Sequence, residues 1–267
     1  MNSVRSKKFE VSIDNLKDTQ KYLIDYANIS QGLIENQSQF LGYRQFKEFG
    51  KKISMGVPLV LPIGLKEFDY PNKKYNFIIN KEYVQKNIFK TSNKNYIGLK
   101  LYLENGNTFS SEATPKKKYL PSIDDIKKNN LSLISKIKNI KKTGNTVAAF
   151  QTRNIPHFGH EKIIEDLLLQ FNYVIINPVI GPKKAGDAKS DLLSLIYNHL
   201  GKKYYDNKII FHPLCANMFY AGPREAIHHA LLRQKVGFSG FIIGRDHAGA
   251  QNNYRPESAK IQINRIK

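Results

Sequence analysis

The chain has 267 residues, with 42 Lys+Arg against 22 Asp+Glu for a formal net charge of +20, 41% apolar residues and a single cysteine. One cysteine excludes a disulfide framework or a cysteine-rich zinc module, and 15 Tyr with 15 Phe exclude the aromatic-poor composition of a disordered chain. The longest apolar runs are too short to span a bilayer, and no apolar stretch follows the basic residues of MNSVRSKKFEVS. A soluble cytoplasmic protein with no membrane association is expected.

Residues 1–143 carry 26 Lys+Arg and 13 Asp+Glu, residues 144–267 carry 16 and 9, and all seven histidines lie in the second stretch. Such basicity suits anionic partners: nucleotides, sulfate or phosphate, or nucleic acid. A Lys- and Asn-rich composition that only keeps the chain in solution explains the bulk charge equally well.

In chain order, a helix is expected near 38–53, followed by the strand-like runs VPLVLPIGL (57–65), YNFIIN (75–80) and YIGLKLYLE (96–104), the pattern of a compact, mostly β module. The segment 114–145 holds nine lysines and reads as a basic linker, with a helix start at Ser122 and Asp125 and an end at Gly144. Beyond it the rhythm changes to alternating strand and helix. Strands are expected at TVAAFQ (146–151), YVIINPVI (173–180), KIIFHPL (208–214) and GFIIG (240–244), with helices over about 157–171, 188–200 and 223–234. The expected fold is α/β: a β-rich domain over 1–143, then a domain over 144–267 built on a parallel sheet with right-handed crossovers. Ligands of such sheets bind beyond the carboxyl ends of the strands, where the chemically rich residues of this chain fall.

QTRNIPHFGHE (151–161) places Gln151 and Arg153 at a strand end and His157 and His160 at the start of a helix. Cationic donors beside a helix N-terminus suit an anion that gains charge during reaction, such as a triphosphate cleaved at its α position. Two surface histidines, or half of a metal site, are the alternatives, and no metal-ligand set is expected. In GPKKAGD (181–187), Lys184 and Asp187 can offer an ammonium to phosphates and a carboxylate to Mg²⁺ or a ribose, although a solvated turn explains the loop as well. GRDHAG (244–249) follows a strand, and its Arg245 can bind an oxyanion in bidentate fashion or form a structural pair with Asp246. His228 and His229 read as surface or packing residues, and Cys215 as a small buried apolar one.

VAAFQTRNIPHFGHE, NPVIGPKKAGD, AGPREAIHHALLRQKVGF and FIIGRDHAG resemble, in order, the catalytic-domain motifs of the ATP sulfurylase (sulfate adenylyltransferase) family, and GVPLVLPIGL (56–65) resembles the end of that family's PUA-like β domain. The resemblance implies a PUA-like first domain and a nucleotidyltransferase second domain of HxGH, Rossmann-like type. It implies the reaction of ATP with sulfate to give adenylyl sulfate and pyrophosphate, with Mg²⁺ on the nucleotide, and a homo-oligomer. Carried over by position, Gln151, Arg153, Arg245 and the backbone N–H of Ala248 hold sulfate. Thr152, Arg153, Asn154, His157 and His160 are catalytic. Gln151, Thr152, Asn154, His157, His160, Lys184, Asp187, Gly244, Arg245, Asp246 and His247 bind the nucleotide.

Two departures from the family pattern stand out. Ile155 separates Asn154 from Pro156, where the family has Pro directly after Asn, and the family continues well beyond the position of Lys267, so a C-terminally shortened member is expected. Two other readings are open. One is a sulfurylase-like nucleotidyltransferase with a different acceptor or nucleotide. The other is an RNA-binding PUA-like protein, against which stands the absence of an RNA-recognition motif among the lysines.

Overall fold

The computed structural model describes residues 16–52, 54–62, 68–69, 76–103, 107–109, 114–115, 120–152, 154–180, 190–245, 247–250 and 252–265. In the second half four strands form one sheet: β6 (Val147–Phe150), β7 (Tyr173–Ile176), β9 (Ile209–Phe211) and β11 (Gly240–Phe241), in the order β11-β6-β7-β9 and parallel throughout. Two helices connect them, α6 (Phe158–Leu168) and α7 (Ser190–Tyr204), and α8 (Pro223–Val236) precedes β11. Successive strand residues face opposite sides, and the apolar residues divide accordingly. Ala148, Phe150, Val174, Ile176 and Ile209 pack with Ile164 and Leu167 of α6 and Leu193 and Tyr197 of α7. Val147, Ala149 and Ile175 join the other cluster, with Leu232 and Val236 of α8.

The two runs expected as single strands, 173–180 and 208–214, are each broken at a proline. β7 stops before Asn177-Pro178 and pairing resumes in β8 (Val179–Ile180); β9 stops before His212-Pro213 and resumes in β10 (Leu214–Cys215). The offset between partners is unchanged across the break, from Ile176↔Phe211 to Val179↔Leu214. His212 N–H donates to the Ile176 carbonyl and Leu214 N–H to the Pro178 carbonyl, so one side of the ladder is intact. On the other side proline has no N–H to give to His212. The Asn177 side chain supplies the donor instead, Nδ2 to the His212 carbonyl at 2.7 Å.

The first half holds more helix than its strand-like runs suggested. It contains α1 (Leu16–Ser30), α2 (Tyr43–Lys51), α3 (Lys81–Tyr83), a π-helical turn over Val84–Phe89 and α4 (Ile97–Tyr102). Its described strands are β1 (Leu61–Pro62), β2 (Phe68–Asp69), β3 (Asn76–Ile78), β4 (Asn107–Phe109) and β5 (Thr114–Pro115), paired antiparallel as β1-β4-β3 and β2-β5. Within YIGLKLYLE, Ile97–Tyr102 is helical where strand was expected. Its apolar alternation is short enough to satisfy both periods, and the helix buries Tyr96 and Leu99 on one face, with the Tyr96 hydroxyl donating to the Tyr220 carbonyl.

The lysine-rich 114–145 segment is mostly α5 (Leu120–Lys142), starting slightly before the expected Ser122. Ile123, Ile126, Asn130, Leu133 and Ile137 are buried at spacings of three and four, while Lys128, Lys136, Lys138, Lys141 and Lys142 remain exposed. Asn130 Nδ2 donates to Asn28 Oδ1 of α1 at 2.8 Å, and Asn28 Nδ2 to the Cys215 carbonyl at 2.9 Å, tying α5, α1 and β10 together. A final helix, α9 (Ser258–Ile263), packs on α8.

Candidate active site

β6 and β11 are neighbours in the sheet, so the loops at their carboxyl ends meet. Between them opens a cleft of about 460 Å³. From the β6 side it is lined by Gln151, Thr152, Asn154 and His160, and from the β11 side by Gly244, Arg245, His247, Ala248 and Gly249. Two motifs some ninety residues apart in sequence thus face one another across it, as the strand–loop logic required. Sequence reasoning missed the apolar wall of Ile163, Val179, Met218, Ile242 and Ile243, since these residues read only as core. Arg153, Lys184, Asp187 and Asp246 lie outside the described residues.

His157 is the N-cap of α6 rather than part of its first turn. Its backbone is extended (φ −140°, ψ 172°), and its Nδ1 accepts the Gly159 N–H at 3.1 Å, filling one of the orphan donors of the helix start. Glycine at 159 lets the ring lie there: a Cβ at that position would sit 3.1 Å from His157 Cε1. The exposed His157 ring then rests on His160, with centroids 3.9 Å apart. His160 is buried, and its Nε2 lies 3.2 Å from Thr152 Oγ1. That hydroxyl accepts the Asn154 N–H at 3.2 Å and also bonds Tyr197, and the direction of its contact with His160 follows the imidazole tautomer. Burial first, and the neighbouring His157 second, hold His160 below the ordinary histidine range, so it is neutral at rest.

Two polar atoms of the cleft residues are buried without a hydrogen-bond partner, His160 Nδ1 and Gln151 Oε1. Buried polar atoms are ordinarily satisfied, so among the described residues these two have capacity for a further partner. On the facing loop Ala248 has φ +57°, a left-handed conformation that costs a non-glycine residue about 1–2 kcal/mol. The Gly222 N–H donates to the Ala248 carbonyl at 3.2 Å and holds that peptide in place. Gly222 itself has φ +53°, and a Cβ on it would meet the Tyr254 ring at 2.3 Å, so this support admits only glycine.

His228 and His229 are not surface residues. Both are buried on α8, and His229 contacts the cleft residue His247, its Nδ1 lying 3.2 Å from His247 Nε2. The signal available in the sequence was the i,i+4 spacing of Glu225 and His229, which sets both on one helix face. Among the described residues no cluster of three His, Cys, Asp or Glu could hold a metal ion, and no helix is long and apolar enough to cross a membrane. Cys215 is buried, and burial pushes its thiol up to about 12, as a packing role requires.

Comparison with known proteins bears directly on this arrangement. The ATP-sulfurylase family model matches residues 134–267, which include both loops of the cleft. A sulfate adenylyltransferase of Pyrococcus abyssi is 32% identical over 259 residues, covering 88% of this chain and 68% of the relative. One from Staphylothermus marinus is 46% identical over 120 residues, covering 45% of this chain and 31% of the relative, so the chain spans only part of the length of the curated relatives it matches. Among solved structures, a hexameric APS kinase from Thiobacillus denitrificans superposes with a TM-score of 0.50 at 12% identity, over 85% of this chain and 46% of that one, a likeness of fold alone. The cleft motifs, the span of the family match and the length of the Pyrococcus alignment agree: the chain belongs to the ATP-sulfurylase family.

Proposed function

We propose that the protein is a sulfate adenylyltransferase, joining sulfate to the α-phosphate of ATP and releasing pyrophosphate. The observation that carries this is the pair of unpartnered buried atoms, His160 Nδ1 and Gln151 Oε1, in a cleft that also holds Arg245 and the fixed left-handed Ala248. In this reading Gln151, Arg153, Arg245 and the Ala248 N–H seat sulfate, while Thr152, Asn154, Gly244, Asp246 and His247 seat the nucleotide. The same reading assigns Lys184 to its phosphates and Asp187 to Mg²⁺ or the ribose. Mg²⁺ arrives on the nucleotide as part of the substrate.

Sulfate carries its negative charge before it attacks, so no base is needed to deprotonate it. What the chain must supply is alignment of two anions that repel each other, and donors where charge builds on the departing pyrophosphate. Arg245 and Arg153 offset the repulsion. In the tautomer whose Nε2 accepts from the Thr152 hydroxyl, His160 keeps its proton on Nδ1 and offers it to a phosphate oxygen. His157, held on the helix by Gly159, presents its Nε2 beside it.

The same proposal takes residues 1–143 as a PUA-like domain and 144–267 as the catalytic domain. The antiparallel β1-β4-β3 ladder and the turn at Gly144 between α5 and β6 support that division. It takes the protein as a cytoplasmic homo-oligomer that does not bind nucleic acid; the exposed Phe158 of α6, Leu169 just after it and Leu195 of α7 support self-association. The test is ATP formation from adenylyl sulfate and pyrophosphate with Mg²⁺, the downhill direction. Activity lost in Arg153→Ala is expected, and no ATP from well-folded protein would overturn the proposal.

A further inference from the structure

Behind the cleft wall lies a group of titratable side chains that the proposed reaction does not use. Glu225 and His229 are both completely buried on α8, with Glu225 Oε1 3.4 Å from His229 Nε2. His229 Nδ1 is 3.2 Å from Nε2 of His247, a residue that lines the cleft. Carboxyl, imidazole and imidazole thus stand in a row from the core to the ligand space. His229 Nε2 makes no aligned hydrogen bond although it is buried, and it faces Glu225; the Asn217 backbone also interacts with the His229 ring.

The protons of such a row are not independent. One of the two facing nitrogens, His229 Nδ1 or His247 Nε2, must carry the proton they share. With two protons in the row, Glu225 is ionised, His229 holds its proton on Nε2, and His247 holds its own on Nε2. The Nδ1 that His247 has left for the cleft is then bare, an acceptor. A third proton entering at His247 Nδ1 moves the other two inward: from His247 Nε2 to His229 Nδ1, and from His229 Nε2 toward Glu225. His247 Nδ1 then faces the cleft as a donor, and no bond other than these N–H and O–H bonds has changed.

We infer that Glu225, His229 and His247 form a buried proton-sharing chain whose third proton turns His247 into a hydrogen-bond donor for an oxyanion in the cleft. This rests on the reading of the cleft as an oxyanion site. Glu225 and His229 are positioning residues, acting through His247.

The surroundings favour this use of the row. Glu225 accepts the Phe219 and Ala221 N–H groups at 2.8 Å, one on each oxygen, so its position is fixed. Burial raises its carboxyl to about 8, against those hydrogen bonds and Lys21 of α1, which pull it down. Burial drives both imidazoles the other way: His247 falls to about 3, aided by Arg233, and His229 falls well below its ordinary value, aided by His247, Arg233 and His228. Tyr254 also faces Glu225. An isolated imidazolium is therefore disfavoured, and the proton that comes and goes near neutral pH belongs to the row as a whole.

The experiment is binding calorimetry on the full chain in two buffers of different ionisation enthalpy, with inorganic sulfate, adenylyl sulfate and adenosine as probes. None of the three titrates near neutrality. Wild type is expected to take up close to one proton per site with an oxyanion probe above about pH 8, and none with adenosine. Affinity should fall roughly tenfold per pH unit once the third proton is lost. Uptake with sulfate alone identifies sulfate as the partner of His247; uptake with adenylyl sulfate alone identifies the phosphate. His229→Asn, whose amide can still reach His247 but not relay to Glu225, should bind the probe without proton uptake. Uptake unchanged in His229→Asn, or absent in wild type that binds the probe, would overturn the inference.

Nitrogen-15 histidine spectra of the ligand-free protein keep the chain testable if no probe binds. His247 Nδ1 should lose its proton as pH rises through about 8 in wild type and not in His229→Asn, and a tautomer constant with pH would overturn the inference. Absence of turnover with a titrating His247 would instead remove the enzymatic reading alone.

Discussion

Two helices of the second half begin within reach of polar, chemically capable residues, and they use them oppositely. At the start of α6 the His157 side chain caps the helix, His160 keeps a buried Nδ1 without a partner, and the neighbouring Gln151 keeps Oε1. At the start of α8 the polar groups are consumed by the protein itself. Arg224 is 3% exposed and gives all of its donors to main-chain carbonyls: Nε to Gly56, one amino group to Gly50 and Asn87, the other to Phe49 and Lys52, at 2.7–3.1 Å. Glu225 gives one oxygen to each of two backbone N–H groups, and what capacity it has left faces His229 within the protein rather than ligand. Similar residue types therefore mean different things: polar capacity left open points to ligand, and polar capacity used up points to architecture.

The sharpest break of that contrast is Arg224→Ala. Five carbonyls would each lose a donor at once, and those of Gly50, Gly56 and Asn87 would lose the side-chain donor that reaches them; we expect a loss of at least about 4 kcal/mol, read as a collapse of the thermal transition or insoluble protein. Near-normal melting would show that α8 is not the saturated end. The mirror experiment is His160→Ala, expected to lower the rate by on the order of a hundredfold, as removal of a preorganised donor does, with little change in melting temperature. A large fall in stability instead would place His160 with Arg224. Smaller still is Gly159→Ala. The added methyl pushes on the His157 ring, and we expect a roughly two- to tenfold loss of rate, while the helix gains up to about 1 kcal/mol from the better helix former.

The last prediction concerns pH dependence. Asp25 of α1, which accepts from Asn217 Nδ2 at 2.7 Å, is raised by burial to about 7, and Glu225 to about 8. Both carboxyls bind protons more readily folded than unfolded. Their contribution to stability is full below the ordinary carboxylate range and declines as pH rises from about 4 through these values. Melting temperature should therefore drop between about pH 4 and about pH 8, and Asp25→Asn should flatten the slope, since its amide oxygen can still accept from Asn217. A slope unchanged in Asp25→Asn would exclude this group as a cause.

The strand–helix rhythm after Thr146, and the cleft motifs that follow β6 and β11, were legible because each apolar run was long and flanked by turn residues. The prolines at 178 and 213 were legible as letters but not as breaks, since the Asn177 side chain that repairs the ladder is a tertiary contact. α4 was misread because four alternating apolar residues fit either period. His229 was read as packing because its meaning lies in His247, a partner eighteen positions away that no local pattern names.

The carbonyls that Arg224 holds come from residues 49–56 and 87, which are 137–175 positions earlier in the chain. During synthesis they leave the ribosome long before α8 exists, and at that stage water must serve them. The amino-terminal half therefore waits, unfinished, for a helix translated much later. Its final structure is a product of the whole chain, and a stall or truncation before residue 224 leaves an open groove exposed to whatever else is nearby.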